Sequence, residues 1–159
     1  MSIRASTDLF RQIPLFAACE ETHLQLLAFT SERVTLRPGE PILRAGDQSH
    51  AAYLILTGAA DVWVKEDKLK KTVAIIGPGA LAGELAMIAG IAYSANITAT
   101  DEVTAIRVTR DVFMRVAQEF PDFGIRIHQT LAERLNTSMS EINRVRRMFD
   151  GSAGISLPG

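Results

Sequence analysis

Between residues 8 and 29 the apolar positions recur at helical spacing: Leu9, Phe10 and Ile13, then Leu15 and Phe16, then Leu24, Leu27 and Ala28. Pro14 lacks an amide hydrogen and divides this stretch into two short helices. Glu20 and Glu21 fall in the first turn of the second, where carboxylates suit the positive end of a helix, and Cys19 takes the cap position. From about 32 to 109 the period shortens. Apolar runs at 34–36 and 41–43 flank the turn Arg37-Pro38-Gly39-Glu40, and runs at 53–56 and 60–64 flank Thr57-Gly58. A run at 72–76 enters Gly77-Pro78-Gly79, and runs at 95–99 and 103–108 flank Thr100-Asp101-Glu102. Short strands at nearly regular spacing with Gly or Asp turns predict an antiparallel sandwich or jelly roll, interrupted by one short helix from Glu84 to about Ala89.

After Thr109 helical periodicity returns. One helix is predicted at 111–118, and Pro121-Asp122 restarts a second that can run to about Phe149. Its stripe is Ile127, Leu131, Leu135, Ser138, Ile142, Val145 and Phe149, stepping by 4, 3, 4, 3 and 4 from Leu131 onward. That heptad seam, with Ser138 as its one polar member, suits a homodimer paired through the helix at about 124–149. An amphipathic helix lying on its own domain fits the pattern equally well. Residues 150–159 are rich in Gly and Ser and read as a loose tail. The expected organisation is one domain over 8–149: a mainly β jelly roll at about 32–109, N-terminal helices, and C-terminal helices at about 110–149.

Composition narrows the function. The 159 residues, 47% hydrophobic and 22% charged, match one ordinary globular domain. Seventeen Lys and Arg against 18 Asp and Glu leave a net charge of −1, so no overall basic field attracts nucleic acid or anionic lipid. The single cysteine, Cys19, cannot form an internal disulfide and reads as a small buried or half-buried thiol. The first residues carry no secretory pattern and no run of eighteen apolar residues occurs, so a cytoplasmic protein without a membrane partner is expected.

Catalysis finds no support in the residues. His23, His50 and His128 lack metal-ligand spacing and read as surface or half-buried side chains. No Gly-x-Ser-x-Gly elbow occurs, nor a His and Glu cluster on strands. Neither an enzyme, a metal site nor a resident cofactor is expected. The most unusual segment is 77–90, where Gly77, Gly79, Gly83 and Gly90 surround Glu84 as the only charge. A Gly-rich turn entering a short helix exposes amides that can cradle a phosphate, and a carboxylate in an apolar run suits a ligand hydroxyl. A plain turn whose carboxylate caps its own helix is the alternative.

Ala82-Gly83-Glu84-Leu85-Ala86, with Tyr93-Ser94-Ala95 beginning nine residues after Glu84, resembles the phosphate-binding cassette of the cyclic nucleotide-binding domain. That domain occurs in the catabolite activator/Fnr-like regulators, kinase regulatory subunits and cyclic nucleotide-gated channels. Ile13-Pro14-Leu15-Phe16 is similar to the family's opening helix, and Leu36-Arg37-Pro38-Gly39-Glu40-Pro41-Ile42 to its first hairpin. Ala45-Gly46-Asp47 and Tyr53-Leu54-Ile55-Leu56-Thr57-Gly58 follow its next turns in order, so the resemblance runs from about Leu9 to Phe149.

The resemblance implies a jelly roll with flanking helices and cyclic AMP or cyclic GMP as the ligand. By it, Gly83, Leu85 and Ala86 offer backbone amides to the phosphate, Glu84 takes the ribose 2′-hydroxyl, and Ser94 touches the phosphate. Ser138, or its neighbour Thr137, lies where regulators of the family meet the purine base. Tyr93 stands where the family has an arginine that pairs with the phosphate. A tyrosine is neutral at pH 7 and donates one hydrogen bond, whereas losing one partner of a buried charge pair costs about 2–5 kcal/mol, or roughly thirty- to several-thousand-fold. From Gly77 to Thr100 no Lys or Arg replaces it. Weak cyclic nucleotide binding is therefore expected, or a changed or silent pocket.

Family regulators continue into a helix-turn-helix domain, whereas this sequence stops ten residues past Phe149, and Arg144, Arg146 and Arg147 read as a solvated helix end. Direct DNA binding is not expected without an added domain. Two functions stay open: a ligand sensor signalling through its C-terminal helix, and a protein-interaction or dimerisation module of the same fold that binds no nucleotide.

Overall fold

The computed structural model describes residues 3–133. Helices α1 (Ile3–Gln12) and α2 (Glu21–Thr30) precede strands β1 (Glu32–Leu36), β2 (Pro41–Leu43), β3 (Ala51–Thr57), β4 (Ala60–Glu66), β5 (Leu69–Ile76) and β6 (Leu81–Ala82). Helix α3 (Glu84–Ala89), strands β7 (Asn96–Ala99) and β8 (Val103–Thr109), and helix α4 (Arg110–Glu119) follow. A further helix, α5, occupies 121–133.

The strands form two antiparallel four-stranded sheets, ordered β1-β8-β3-β6 and β2-β7-β4-β5. This is the predicted jelly roll. One core lies between the sheets, where Leu43, Ile55, Ile97, Val103 and Ala105 are buried. A second lies between the first sheet and the helices, where Phe10, Leu24, Leu54, Phe113, Phe123 and Ile127 are buried. The helical core is aromatic: Phe16 stacks on Phe123 at 6.4 Å between ring centroids, and Phe113 meets Phe123 edge-on at 5.5 Å. Such pairs add about 0.5–1.5 kcal/mol beyond the area they bury.

Four expectations change. The chain is already helical at Ile3 rather than from residue 8, because Ser6 and Thr7 are buried despite their hydroxyls. Thr7 donates to the Ile3 carbonyl at 2.8 Å, which makes its burial affordable in hydrogen-bond terms. Glu20, not Cys19, is the N-cap of α2, and Cys19 is buried in the helical core instead. His23 is also buried, with its ring 4.6 Å from that of Phe120. β6 pairs with β3 through only Tyr53↔Ala82 and Leu54↔Leu81, too short to show a period in sequence. As for the stripe on the last helix, Ile127 is buried against its own domain and Leu131 packs beside it. The remaining seam positions, Ser138 included, lie outside the described residues.

Burial pushes the Cys19 thiol above its ordinary pKa, with Arg126 pulling weakly the other way. Since the thiolate is the reacting form, Cys19 is expected to be inert in the folded chain. A disulfide reagent at pH 8 should label it on the order of a hundred-fold more slowly than in denaturant, matching an opening cost of about 3 kcal/mol. Equal rates would show that the helical core opens freely.

Candidate functional site

Strand β6 delivers the chain to Gly83, which stands at φ +80° as the N-cap of α3. A Cβ there would meet the Tyr93 ring at 3.0 Å and Leu43 at 3.1 Å, besides the cost of the left-handed backbone, so only glycine fits. Glu84 therefore sits at the first helical position and is half-buried. Helix α3 closes at Gly90, also left-handed, whose amide donates to the Ala86 carbonyl at 2.8 Å.

Two residues absent from the sequence reading hold the far end of α3. Buried Ser49 donates to the Ala86 carbonyl at 2.8 Å and lies 2.5 Å from that of Ile91. Arg110, the first residue of α4, donates through Nε to the Met87 carbonyl at 3.0 Å. A cation at a helix C-terminus is favourable, so the Arg110 contact ties α3 to the start of the C-terminal helices. Neither residue belongs to a local motif. Ser49 lies 37 positions before Ala86 and Arg110 lies 23 after Met87, so only the fold brings them there.

Tyr93 is fixed from several sides. Its amide donates to the Asp47 carbonyl at 3.0 Å, and its carbonyl accepts from the Gly46 amide at 2.9 Å. Its hydroxyl donates to the Ala51 carbonyl at 2.5 Å and lies 3.3 Å from the Ala51 amide. Burial, more than any other cause, pushes the phenol above its ordinary pKa, so it stays neutral at physiological pH.

A concavity of about 260 Å³ is lined by Gly83, Glu84, Leu85, Ala86, Tyr93 and Ser94 together with Leu43, Val62, Ile76, Leu81, Ala82, Ala95 and Ile97. The first six are all of the expected site residues that fall among the described ones. Ser138 lies outside them. Leu43, Val62, Ile76, Leu81 and Ile97 supply the concavity's larger aliphatic lining, which no motif had marked. Strand alternation could have located Leu43, Val62, Ile76 and Ile97, which lie on predicted strands, whereas Leu81 lies on the two-residue β6 and could not be read that way. A neighbouring cleft of about 270 Å³ lies across Tyr93 and carries Arg44, His50 and Arg107. Arg107 donates through Nε to the Tyr53 hydroxyl at 3.2 Å and lies 3.6 Å from Glu32. A wider cleft of about 460 Å³ beside it, which includes Arg107 and Arg110, shares no residue with the cassette concavity. Among the described residues no group of His, Cys, Asp and Glu is placed to hold a metal ion.

Comparison with known proteins identifies the family and supports the fold. The family model of the cyclic nucleotide-binding domain matches residues 33–120. The chain is 30% identical over 118 residues to lysophospholipase nte1 of Neurospora crassa, covering 74% of this chain and 8% of that protein. It is 27% identical over 140 residues to the cAMP-dependent protein kinase regulatory subunit of Colletotrichum orbiculare, covering 88% of this chain and 34% of that protein. It thus spans only a minor part of either. Among solved structures, the N-terminal domain of a transcriptional regulator from Streptomyces coelicolor superposes with a TM-score of 0.77 at 24% identity, covering 82% of this chain and 94% of that one. A cyclic nucleotide-binding-like protein from Brucella abortus superposes with a TM-score of 0.66 at 32% identity, covering 72% of this chain and 98% of that one.

Proposed function

This chain belongs to the cyclic nucleotide-binding domain family, and on that premise we propose that it is a regulatory sensor module. Its cassette takes cyclic AMP, cyclic GMP or a related ligand, and takes the cyclic phosphates weakly. The observation that carries this is the single concavity lined by Gly83, Glu84, Leu85, Ala86, Tyr93 and Ser94. The Gly83 turn supplies the backbone approach and Glu84 the acceptor for a ligand hydroxyl, while Tyr93 offers no charge to a phosphate. A ligand that displaces α3 moves Arg110 with it, because that side chain grips the Met87 carbonyl. The signal then enters α4 and continues through the helix at about 124–149 to a second copy or another partner, as a shift between two packings. Catalysis has no place in this role. Among the described residues no helix is long and apolar enough to cross a membrane, in keeping with a cytoplasmic sensor.

Titration calorimetry with cyclic AMP and cyclic GMP tests the reading. Saturable binding with half-saturation above roughly 100 µM, or about −5.5 kcal/mol, is expected. Half-saturation at low micromolar ligand would overturn the weakness assigned to Tyr93. No heat up to 10 mM, in both the wild type and a folded Tyr93→Arg variant, would favour the second reading. In that reading the jelly roll serves as an interaction or dimerisation module without nucleotide. Tyr93 supports it, since its ring presses against Gly83 and its hydroxyl is committed to Ala51.

A further inference from the structure

Side chains along β8 alternate between the two cores. Val103 and Ala105 belong to the core between the sheets, and Ile106 and Val108 to the core under the helices. The inter-sheet face of β8 therefore continues past Ala105 to Arg107 and Thr109, which register with β3 sets opposite Tyr53 and Ala51. β8 lies inside its sheet, between β1 and β3, so a cation on it does not serve to blunt an open edge. Arg107 and Thr109 line the cleft of about 460 Å³, together with Gln48, His50, Arg110 and Asp111.

Both guanidinium groups are held in place, and both keep donors. Arg107 gives Nε to the Tyr53 hydroxyl at 3.2 Å, and its ion-pair partner Glu32, at 3.6 Å, has a side chain 63% exposed, so water largely screens that pair. Arg110 gives Nε to the Met87 carbonyl, a neutral acceptor, and among the described residues no carboxylate forms an ion pair with it. A guanidinium has five N–H donors, so the terminal nitrogens of Arg110 remain for a ligand. Two fixed guanidiniums match a doubly charged phosphate monoester, whose oxygens take the charged fork in pairs. The Thr109 hydroxyl accepts from the Val112 amide at 3.2 Å and keeps its own proton to donate, and Gln48 and His50 add polar groups. Asp111, exposed, is the one carboxylate of the lining and suits the hydroxyls of an organic body. The volume falls in the range of small-molecule sites, roughly 300–1,000 Å³, and exceeds what a bare ion needs.

We infer that this cleft binds the phosphate monoester of a small sugar or polyol, at a site separate from the cassette. The inference stands whether or not the cassette binds a nucleotide, since the two share no lining residue. Titrations of the whole 159-residue chain with ribose 5-phosphate, ribose and inorganic phosphate, at neutral pH and low ionic strength, test it. Ribose 5-phosphate should saturate with a midpoint below about 1 mM, inorganic phosphate should bind more weakly, and ribose should not bind. Arg107→Gln and Arg110→Gln should each weaken ribose 5-phosphate by about tenfold or more. Arg115→Gln, which removes the same charge from an exposed position of α4 outside the cleft, should leave it unchanged. Arg107→Lys and Arg110→Lys keep the charge without the fork and should fall between, so a Gln variant that does not fold still leaves a reading at its position. A cooperatively melting wild type that does not bind ribose 5-phosphate up to about 10 mM would overturn the inference. So would equal binding of inorganic phosphate and the ester, wild-type affinity in the folded variants at 107 and 110, or an equal loss in Arg115→Gln.

Discussion

Tyr93→Arg is expected to raise the affinity for cyclic AMP or cyclic GMP at least tenfold. Tyr93 lines the cassette beside Gly83 and Glu84, and by the resemblance it stands, nine residues past that glutamate, where the family has an arginine for the phosphate. Arginine replaces a neutral phenol, kept neutral by burial, with a charged fork that matches two phosphate oxygens. A desolvated charge pair of this kind accounts for about 2–5 kcal/mol. Part of that gain is lost. The substitution removes the hydroxyl contacts with Ala51, at about 0.5–1.5 kcal/mol for a hydrogen bond, and the ring packing against Gly83. A net gain of at least about 1.4 kcal/mol, or tenfold, remains. Tyr93→Phe keeps the ring and adds no charge, so it should show no such gain. Calorimetry on the three proteins reads the result directly. Equal affinity in Tyr93→Arg and wild type would show that the missing arginine is not what limits the pocket.

The largest expected loss of stability comes from Gly58→Ala, at the turn between β3 and β4. Gly58 stands at φ +87°, and a Cβ on it would overlap the backbone carbonyl of Glu102 and meet its carbon at 3.0 Å. Neither side can retreat. The Ala59 carbonyl accepts from the Thr100 amide at 2.9 Å and from the Thr100 hydroxyl at 3.0 Å, which locks the β3–β4 turn onto the β7–β8 turn. The left-handed backbone costs a residue with a Cβ about 1–2 kcal/mol, and a forced overlap in packed structure about 1–3 kcal/mol more. A total near 3 kcal/mol lowers the melting midpoint by roughly 6–12 °C. Gly39→Ala is the matched control, because Gly39 shares φ +87° but nothing lies within 4 Å of its Cβ position. It should lose only the backbone share. Equal losses at the two sites would refute the steric argument at Gly58.

These two sites differ in how visible they are in the sequence. The cassette is contiguous, so its glycine spacing, the lone carboxylate and the tyrosine nine residues on can be read directly, and seven of the eight strands could be placed from their turns. What holds the cassette is remote. Ala51 lies 42 positions before Tyr93, and Ser49 reaches both Ala86 and Ile91 across the fold. Nothing in a linear pattern marks an ordinary serine as a helix clamp. The start of α1 escaped the hydrophobic reading because it buries Ser6 and Thr7. In β5, by contrast, the apolar Leu69, Val73 and Ile75 are exposed at the sheet edge, which apolarity alone does not show.

The sequence by itself determined what depends on neighbours along the chain: the alternation that makes strands, the turns that end them, and the charge of the cassette loop. It therefore settled the fold class and the absence of Lys and Arg between 77 and 100. The tertiary structure alone decided where the remaining cations go. Register between β3 and β8 pairs Tyr53 with Arg107 and so places that guanidinium beyond Tyr93, in the next cleft, rather than in the cassette. The physical reason is the two-residue period of a strand. Side chains alternate between faces, so a cation near in space is delivered to one cavity or its neighbour by pairing register, which no local sequence pattern specifies.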